Sequence, residues 1–216
     1  MTAEPRIGEG LVADEDVTLG YPSGRSSVGR LLLGAGARLR SGTVLYAGSR
    51  IGRGFETGHH VVVREGSRIG DDVSVWSNSV IDCGCVLGDR VKVHCNCYVA
   101  QFTELEDDVF LAPGVTIAND LVPGNGGSAA AMAGPLIQAG AQVGVNVTIL
   151  PYVTIGVGAI VGAGSVVTRD VPAGMVAYGN PAVPTRRVAD LPDVEARVRA
   201  AYDARMAASR SRALIG

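Results

Sequence analysis

Aliphatic side chains recur along this chain at every sixth residue. From Leu33 the steps read Leu33, Leu39, Leu45, Ile51, Thr57, Val63, Ile69, Val75, Ile81, Leu87, Val93, Val99, Leu105, Leu111 and Ile117. All of these but Thr57 are Leu, Ile or Val, where chance would give about four. The beat resumes as Ile137, Val143, Ile149, Ile155, Val161 and Val167. Neither a helix, at 3.6 residues per turn, nor a simple strand, at two, yields a strict six. Four positions after each aliphatic comes a small or β-branched residue: Ala37, Thr43, Ser49, Val61, Ser67, Val73, Ser79, Cys85, Val91, Cys97, Thr103 and Val109. Glycine follows the aliphatic every eighteen residues, at Gly34, Gly52, Gly70 and Gly88. Eighteen is three sixes. The pattern predicts an all-β solenoid of three short strands per coil, with aliphatics stacked on a narrow axis and glycines at one corner.

Three segments break the rhythm. Residues 1–30 hold only loose matches (Ile7-Gly8, Val17, Leu19) and are expected as an irregular N-terminal cap. The twenty residues from Ile117 to Ile137 are not a multiple of six, so 119–136 is expected as an extruded loop. After the coiled domain, 31–185, the spacing of Leu191, Val194, Val198 and Tyr202 predicts a C-terminal helix within 186–216.

Glycine supplies 30 of 216 residues and aromatics only 5%, which suits narrow coils better than a helical bundle or a doubly wound sheet. A 47% hydrophobic content excludes a disordered chain. No apolar run approaches the ~18 residues of a membrane helix, and the first twenty residues are too acidic for a signal peptide, so no membrane association and a cytoplasmic location are expected. A net charge of −2 argues against sequence-independent nucleic-acid binding. Lys92 is the one lysine beside eighteen arginines.

The runs Ile69-Gly-Asp-Asp-Val and Leu87-Gly-Asp-Arg-Val resemble the hexapeptide-repeat acyltransferases, whose fold is a left-handed parallel β-helix. The stretch from Ile155-Gly-Val-Gly-Ala through Val171-Pro172, followed by Tyr178-Gly-Asn-Pro-Ala182, is similar to that family's C-terminal signature. The family resemblance implies a homotrimer with acetyl-CoA as cosubstrate. It also implies a coenzyme slot between subunits lined by Gly144, Ala163, Gly179, Asn180 and Pro181, with Arg186 and Arg187 suited to phosphate. One branch is closer still. Val91-Lys-Val-His-Cys-Asn-Cys-Tyr-Val, Glu104-Leu-Glu-Asp-Asp-Val-Phe and Thr116-Ile-Ala-Asn-Asp120 resemble the N-acetyltransferases of nucleotide-linked amino sugars. That likeness sets Asn96 beside the acceptor amine and Asn119 and Asp120 at the start of an acceptor loop. His94 stands where the branch commonly has glutamine.

Stacking by eighteens puts His60, Asn78 and Asn96 in one column, Gly58, Trp76 and His94 in another, and Glu65, Cys83, Gln101 and Asn119 in a third. Polar corner columns also have a plain structural reading, because Asn tolerates left-handed backbone. His94 is a candidate general base and His60 a candidate acceptor contact, with His59 as a weaker one. The extruded loop contains no histidine, which argues against the sugar O-acetyltransferase branch. A γ-carbonic-anhydrase zinc site needs three histidines two coils apart, and the three here do not share columns, so no metal is expected. The pairs Cys83/Cys85 and Cys95/Cys97 fall on different corners, with Cys85 and Cys97 inward as core thiols. The expected activity is acyl transfer from acetyl-CoA to a nucleotide-linked amino sugar. Another small amine or hydroxyl acceptor stays open as an alternative, and a non-catalytic β-helical subunit is disfavoured.

Overall fold

The computed structural model describes residues 4–24, 29–192, 199, 200 and 202. Among them the strands form three parallel sheets, here A, B and C, joined in the repeating order A, B, C. One coil runs Val86–Leu87 in sheet A, Lys92–Val93 in sheet B and Tyr98–Val99 in sheet C, then re-enters sheet A at Glu104–Leu105. Val86 pairs with Glu104, Lys92 with Phe110 and Tyr98 with Thr116, so a regular coil takes eighteen residues. The fold is a left-handed parallel β-helix, as the family resemblance implies.

Burial follows the sequence beat. Every one of the fifteen stepped positions from Leu33 to Ile117 is buried, as are Ile137, Val143, Ile149, Ile155, Val161 and Val167. Each buried Leu, Ile or Val contributes about 1.5–3 kcal/mol by leaving water. The small positions also point inward, and their polar atoms are satisfied fifteen residues further on. Ser67 Oγ donates to the Asp82 carbonyl at 2.9 Å, Ser79 Oγ to the His94 carbonyl at 2.7 Å, and Cys97 Sγ to the Ala112 carbonyl at 3.2 Å. Phe55 occupies one small position and is fully buried. Its coil is the one that carries Thr57 in place of an aliphatic, which leaves room for the ring.

The three corners are built alike, with one residue per corner in left-handed backbone. The BC corner carries Gly42, His60, Asn78, Asn96, Gly114, Asn146 and Gly164 in that conformation, one above another. From His60 upward each donates its N–H to the coil below: Asn78 to the His59 carbonyl, Asn96 to that of Ser77, and Gly114 to that of Cys95. The AB corner is laced by carboxylates. Asp71, Asp89 and Asp107 each accept a backbone N–H from the preceding coil, at 2.7–2.9 Å.

Residues 6–21 correct the expectation of an irregular cap. Arg6–Ile7, Val12–Ala13 and Thr18–Tyr21 are strands that pair in register with Leu32–Leu33, Arg38–Leu39 and Val44–Tyr46. They make one more coil, with Ile7, Ala13 and Leu19 at the inward step. The offset from Arg6 to Leu32 is 26 residues, and this insertion hides the beat from a count that starts at Leu33. The expected loop is found between Thr116–Ile117 and Leu136–Ile137. Glu104 pairs with Leu136, an offset of 32, so fourteen residues are inserted at the CA corner.

The last coil ends in an antiparallel hairpin of Met175–Gly179 with Ala182–Arg187, which extends sheet B beyond the expected boundary at 185. Val188–Asp190 is a single 3-10 turn. The helix expected further on lies outside the described residues except for 199, 200 and 202. Among the described residues no helix is long and apolar enough to cross a membrane.

Candidate active site

The BC edge gathers most of the chemistry expected from the sequence. His94 follows the sheet B strand Lys92–Val93, and its N–H donates to the Leu111 carbonyl. Its ring lies 5.0 Å from Phe110 and 6.5 Å from Trp76, centroid to centroid, tilted by about 50° to each. Two residues on, Asn96 is exposed in left-handed backbone at φ 59°. Two coils below Asn96, His60 covers Gly42, where any side chain would overlap its ring. His59 is tied down instead: its Nδ1 shares a 2.8 Å hydrogen bond with Ser41 Oγ, and its N–H donates to Ser77 Oγ.

Higher on the same edge, the corner is nearly stripped of side chains. Gly144 follows the sheet B strand Gln142–Val143 and abuts the backbone of Ala163, where a Cβ would come within 2.6 Å of the amide nitrogen. Gly179 closes the next level, with φ 106° and its N–H donating to Ser165 Oγ at 3.1 Å. A cis Asn180–Pro181 peptide turns the chain there. Ala163, Gly164, Gly179, Asn180 and Pro181 are all exposed. Bare backbone of this kind admits a slender amide-bearing chain at hydrogen-bonding distance, which is what a pantetheine arm requires.

Two expected groups are not brought to this edge. Asn119 and Asp120 open the inserted loop at the CA corner, on the far side of sheet C in the same chain. Asp120 Oδ1 accepts the Val122 N–H at 2.8 Å, and the Asn119 carbonyl accepts the Ala133 N–H, so both shape the loop itself. Arg186 and Arg187 lie opposite Val176 and Met175, at the end of the hairpin away from Gly179. Both are exposed.

The structure adds residues that the motif reading passed over. Phe110 and Lys92 face outward on sheet B, one above the other, beside His94. Stepping outward positions by eighteen, rather than inward ones, would have found them. At the CA corner Arg64 pairs with Glu65 at 2.9 Å and Asp82 at 3.5 Å, and Tyr98 Oη donates to Asp82 Oδ2 at 2.7 Å. Burial works against the Glu65 charge, but hydrogen bonds from Arg64, its own backbone and Ser23 hold its pKa below the usual range. Burial, then the bond to Asp82, pushes the Tyr98 phenol up to about 12. Cys85 and Cys97 are buried, and burial raises both thiols, Cys85 to about 12. Among the described residues no group of three or more His, Cys, Asp or Glu is arranged to hold a metal ion.

No family model matches the chain. A protein of Schizosaccharomyces pombe (strain 972) named as an acetyltransferase is 48% identical over 52 residues, which is 24% of this chain and 25% of the relative. The 2,3,4,5-tetrahydropyridine-2,6-dicarboxylate N-acetyltransferase of Staphylococcus aureus (strain JH9) is 41% identical over 66 residues, 31% of this chain and 28% of that protein. The matches thus span about a quarter of each of these curated relatives. Among solved structures, the UDP-N-acetylglucosamine O-acyltransferase of Moraxella catarrhalis aligns over 85% of this chain and 72% of its own, at 18% identity and a TM-score of 0.44. The chain thus has the eighteen-residue coil and three sheets that the hexapeptide pattern leads one to expect, and its matched segments are similar to proteins named as acetyltransferases.

Proposed function

We propose that the protein is an acetyl-CoA-dependent N-acetyltransferase whose acceptor is a nucleotide-linked amino sugar. The observation that carries this reading is the single edge that holds His60, His94 and Asn96 on its middle coils and Gly144, Ala163 and Gly179–Pro181 above them. From the coil of His94 to that of Gly144 is two strand spacings, about 10 Å. An arm laid against the bare upper corner therefore brings its thioester down to Asn96. The relative named as a tetrahydropyridine-dicarboxylate N-acetyltransferase supports transfer to nitrogen. With an acyl-CoA donor, the cytoplasm is the compartment.

In this reading Asn96 holds the neutral amine by its side-chain carbonyl and aims the lone pair at the thioester carbon. The N–C bond forms, the C–S bond breaks, and the amine proton passes to the departing sulfur. His94 orients the acceptor from between Trp76 and Phe110. Positioning supplies much of the rate.

The assembly proposed is a trimer, and the outer face of sheet C supports it. That face presents Thr18, Val44, Val62, Val80, Tyr98, Thr116, Thr148 and Val166, with no charge. Sheet A by contrast presents Arg6, Arg50, Arg68 and Glu104, and sheet B presents Arg38, Glu56 and Lys92. Turning three sheet C faces to a common axis sets the BC edge of one subunit against the CA corner of the next. The loop rooted at Asn119 and Asp120 then reaches the neighbour's Asn96, which it cannot meet in its own chain.

The test is incubation with acetyl-CoA and a panel of nucleotide-linked 3- and 4-amino sugars, read by mass spectrometry. Acetylation of at least one sugar is the expected result. His94→Gln should then cost less than about tenfold in kcat/KM, under ~1.4 kcal/mol, and Asn96→Ala more. A loss above a hundredfold for a folded, trimeric His94→Gln enzyme would instead make His94 the general base.

A further inference from the structure

Next to His94, on the outer face of sheet B, lies a recess of about 490 Å³ lined by Asp72, Arg90, Lys92, Asp108, Phe110 and Gln142. Nothing in the reaction as read above uses it, although its size falls in the range of small-molecule sites, about 300–1,000 Å³. Phe110 belongs to both places. Its ring lines the recess and stands 5.0 Å from the His94 ring.

The charges in the recess are unequally committed. Arg90 is locked in a two-pronged pair with Asp108, Nε to Oδ1 and Nη2 to Oδ2, each at 2.8 Å. That pairing holds the Asp108 carboxyl below the usual range and raises the Arg90 guanidinium. Lys92 has no such partner: among the described residues no ion pair or hydrogen bond is made by its ammonium. The chain's one lysine thus stands as an exposed cation under an aromatic ring, two residues along the strand from His94, or about 7 Å.

We infer that this recess binds a nucleoside diphosphate, with its phosphate on Lys92 and its base against Phe110. The inference rests on the reading of the BC edge as the transfer site. An amine at Asn96, a sugar ring beside His94 and Trp76, and a phosphate about 7 Å further along at Lys92 follow one another in the order of a nucleotide-linked amino sugar. Stacking on an aromatic side chain contributes about 1–3 kcal/mol per base. Coenzyme A carries the same chemical group, so the two sources must be separated by experiment.

Trp76, the only tryptophan, lies 6.5 Å from His94 and makes a built-in fluorescent reporter. The intact protein is titrated with uridine diphosphate, thymidine diphosphate and coenzyme A, with calorimetry alongside, for wild type, Lys92→Ala, Lys92→Arg and Phe110→Ala. The expected result is a rise of at least tenfold in the diphosphate Kd for Lys92→Ala and Phe110→Ala, with partial recovery in Lys92→Arg and coenzyme A affinity unchanged. A rise for coenzyme A alone keeps the site and assigns it to the donor. Affinities within twofold of wild type for all three probes, in variants of unchanged sedimentation and melting temperature, overturn the inference. Failure of acetyl transfer to every amino sugar, with Lys92-dependent diphosphate binding intact, would count against the proposed activity and leave the recess standing.

Discussion

Left-handed backbone at the corners decides how the polar columns should be understood. The non-glycine residues with positive φ include Asp16, His60, Asp72, Asn78, Asn96, Asp108 and Asn146, whose short or polar side chains tolerate that region. Asn96 therefore has a structural reason to be asparagine whatever its chemistry, and Asn78 has the same one. Asn96→Gly separates the two roles, because glycine keeps the corner and removes the amide. It should melt within a few degrees of wild type and still lose most acetyl transfer. Arg90 adopts φ 58° at an AB corner of the same kind, its N–H donating to the Asp71 carbonyl. Buried thiols give a second residue-scale expectation. The Cys85 thiol, raised to about 12 by burial, adds stability that is complete below the ordinary thiol pKa of about 8.5. That contribution is lost as pH climbs through the folded value. Melting temperatures from pH 8 to 11 should therefore fall less steeply for Cys85→Ala than for wild type. Cys85 and Cys97 should also resist alkylation at pH 8 until the protein is denatured.

At the scale of elements, the beat of six made the strands, the inward faces and the place of the extruded loop legible, because a buried side chain at each step is dictated by burial alone. What it missed was hidden by register rather than by chemistry. The coil at Arg6–Tyr21 keeps its own sixes, but the insertion before Leu32 shifts them out of phase with the rest. The terminal hairpin was missed for another reason. Met175–Gly179 and Ala182–Arg187 run antiparallel; the second strand is mostly exposed and has no inward step, and the buried Ala177 of the first falls sixteen rather than eighteen residues after its partner Val161. The site was legible as columns but not as corners: stepping by eighteen put His60 with Asn96, yet nothing in a list of columns says that Asn119 leaves from the opposite side of sheet C. The loop itself is held by its own turns, including Asp120 to Val122 and Gly127 to Asn125. Replacing residues 123–133 with a short turn should raise the acceptor KM at least tenfold and leave coenzyme A affinity within twofold, as steady-state kinetics and calorimetry would show.

On the scale of the whole molecule, the proposed site is split across one prism. The proposed coenzyme corner and Asn96 lie on the BC edge, the inserted loop leaves from the CA corner, and the uncharged outer face of sheet C lies between them. A charge introduced there, as in Val62→Glu with Val80→Glu, should give a monomer on sedimentation that keeps its β-sheet circular dichroism and loses at least a hundredfold in activity. The most direct measurement is complementation. Subunits carrying Asn96→Ala, dead at the edge, are mixed under exchange conditions with subunits whose loop is replaced, dead at the corner. If each site takes its edge from one chain and its loop from the next, random trimers should recover up to about a quarter of wild-type activity from two inactive parents. Mixtures that stay as inactive as either parent, with hybrid trimers verified by mass, would contradict a site shared between subunits.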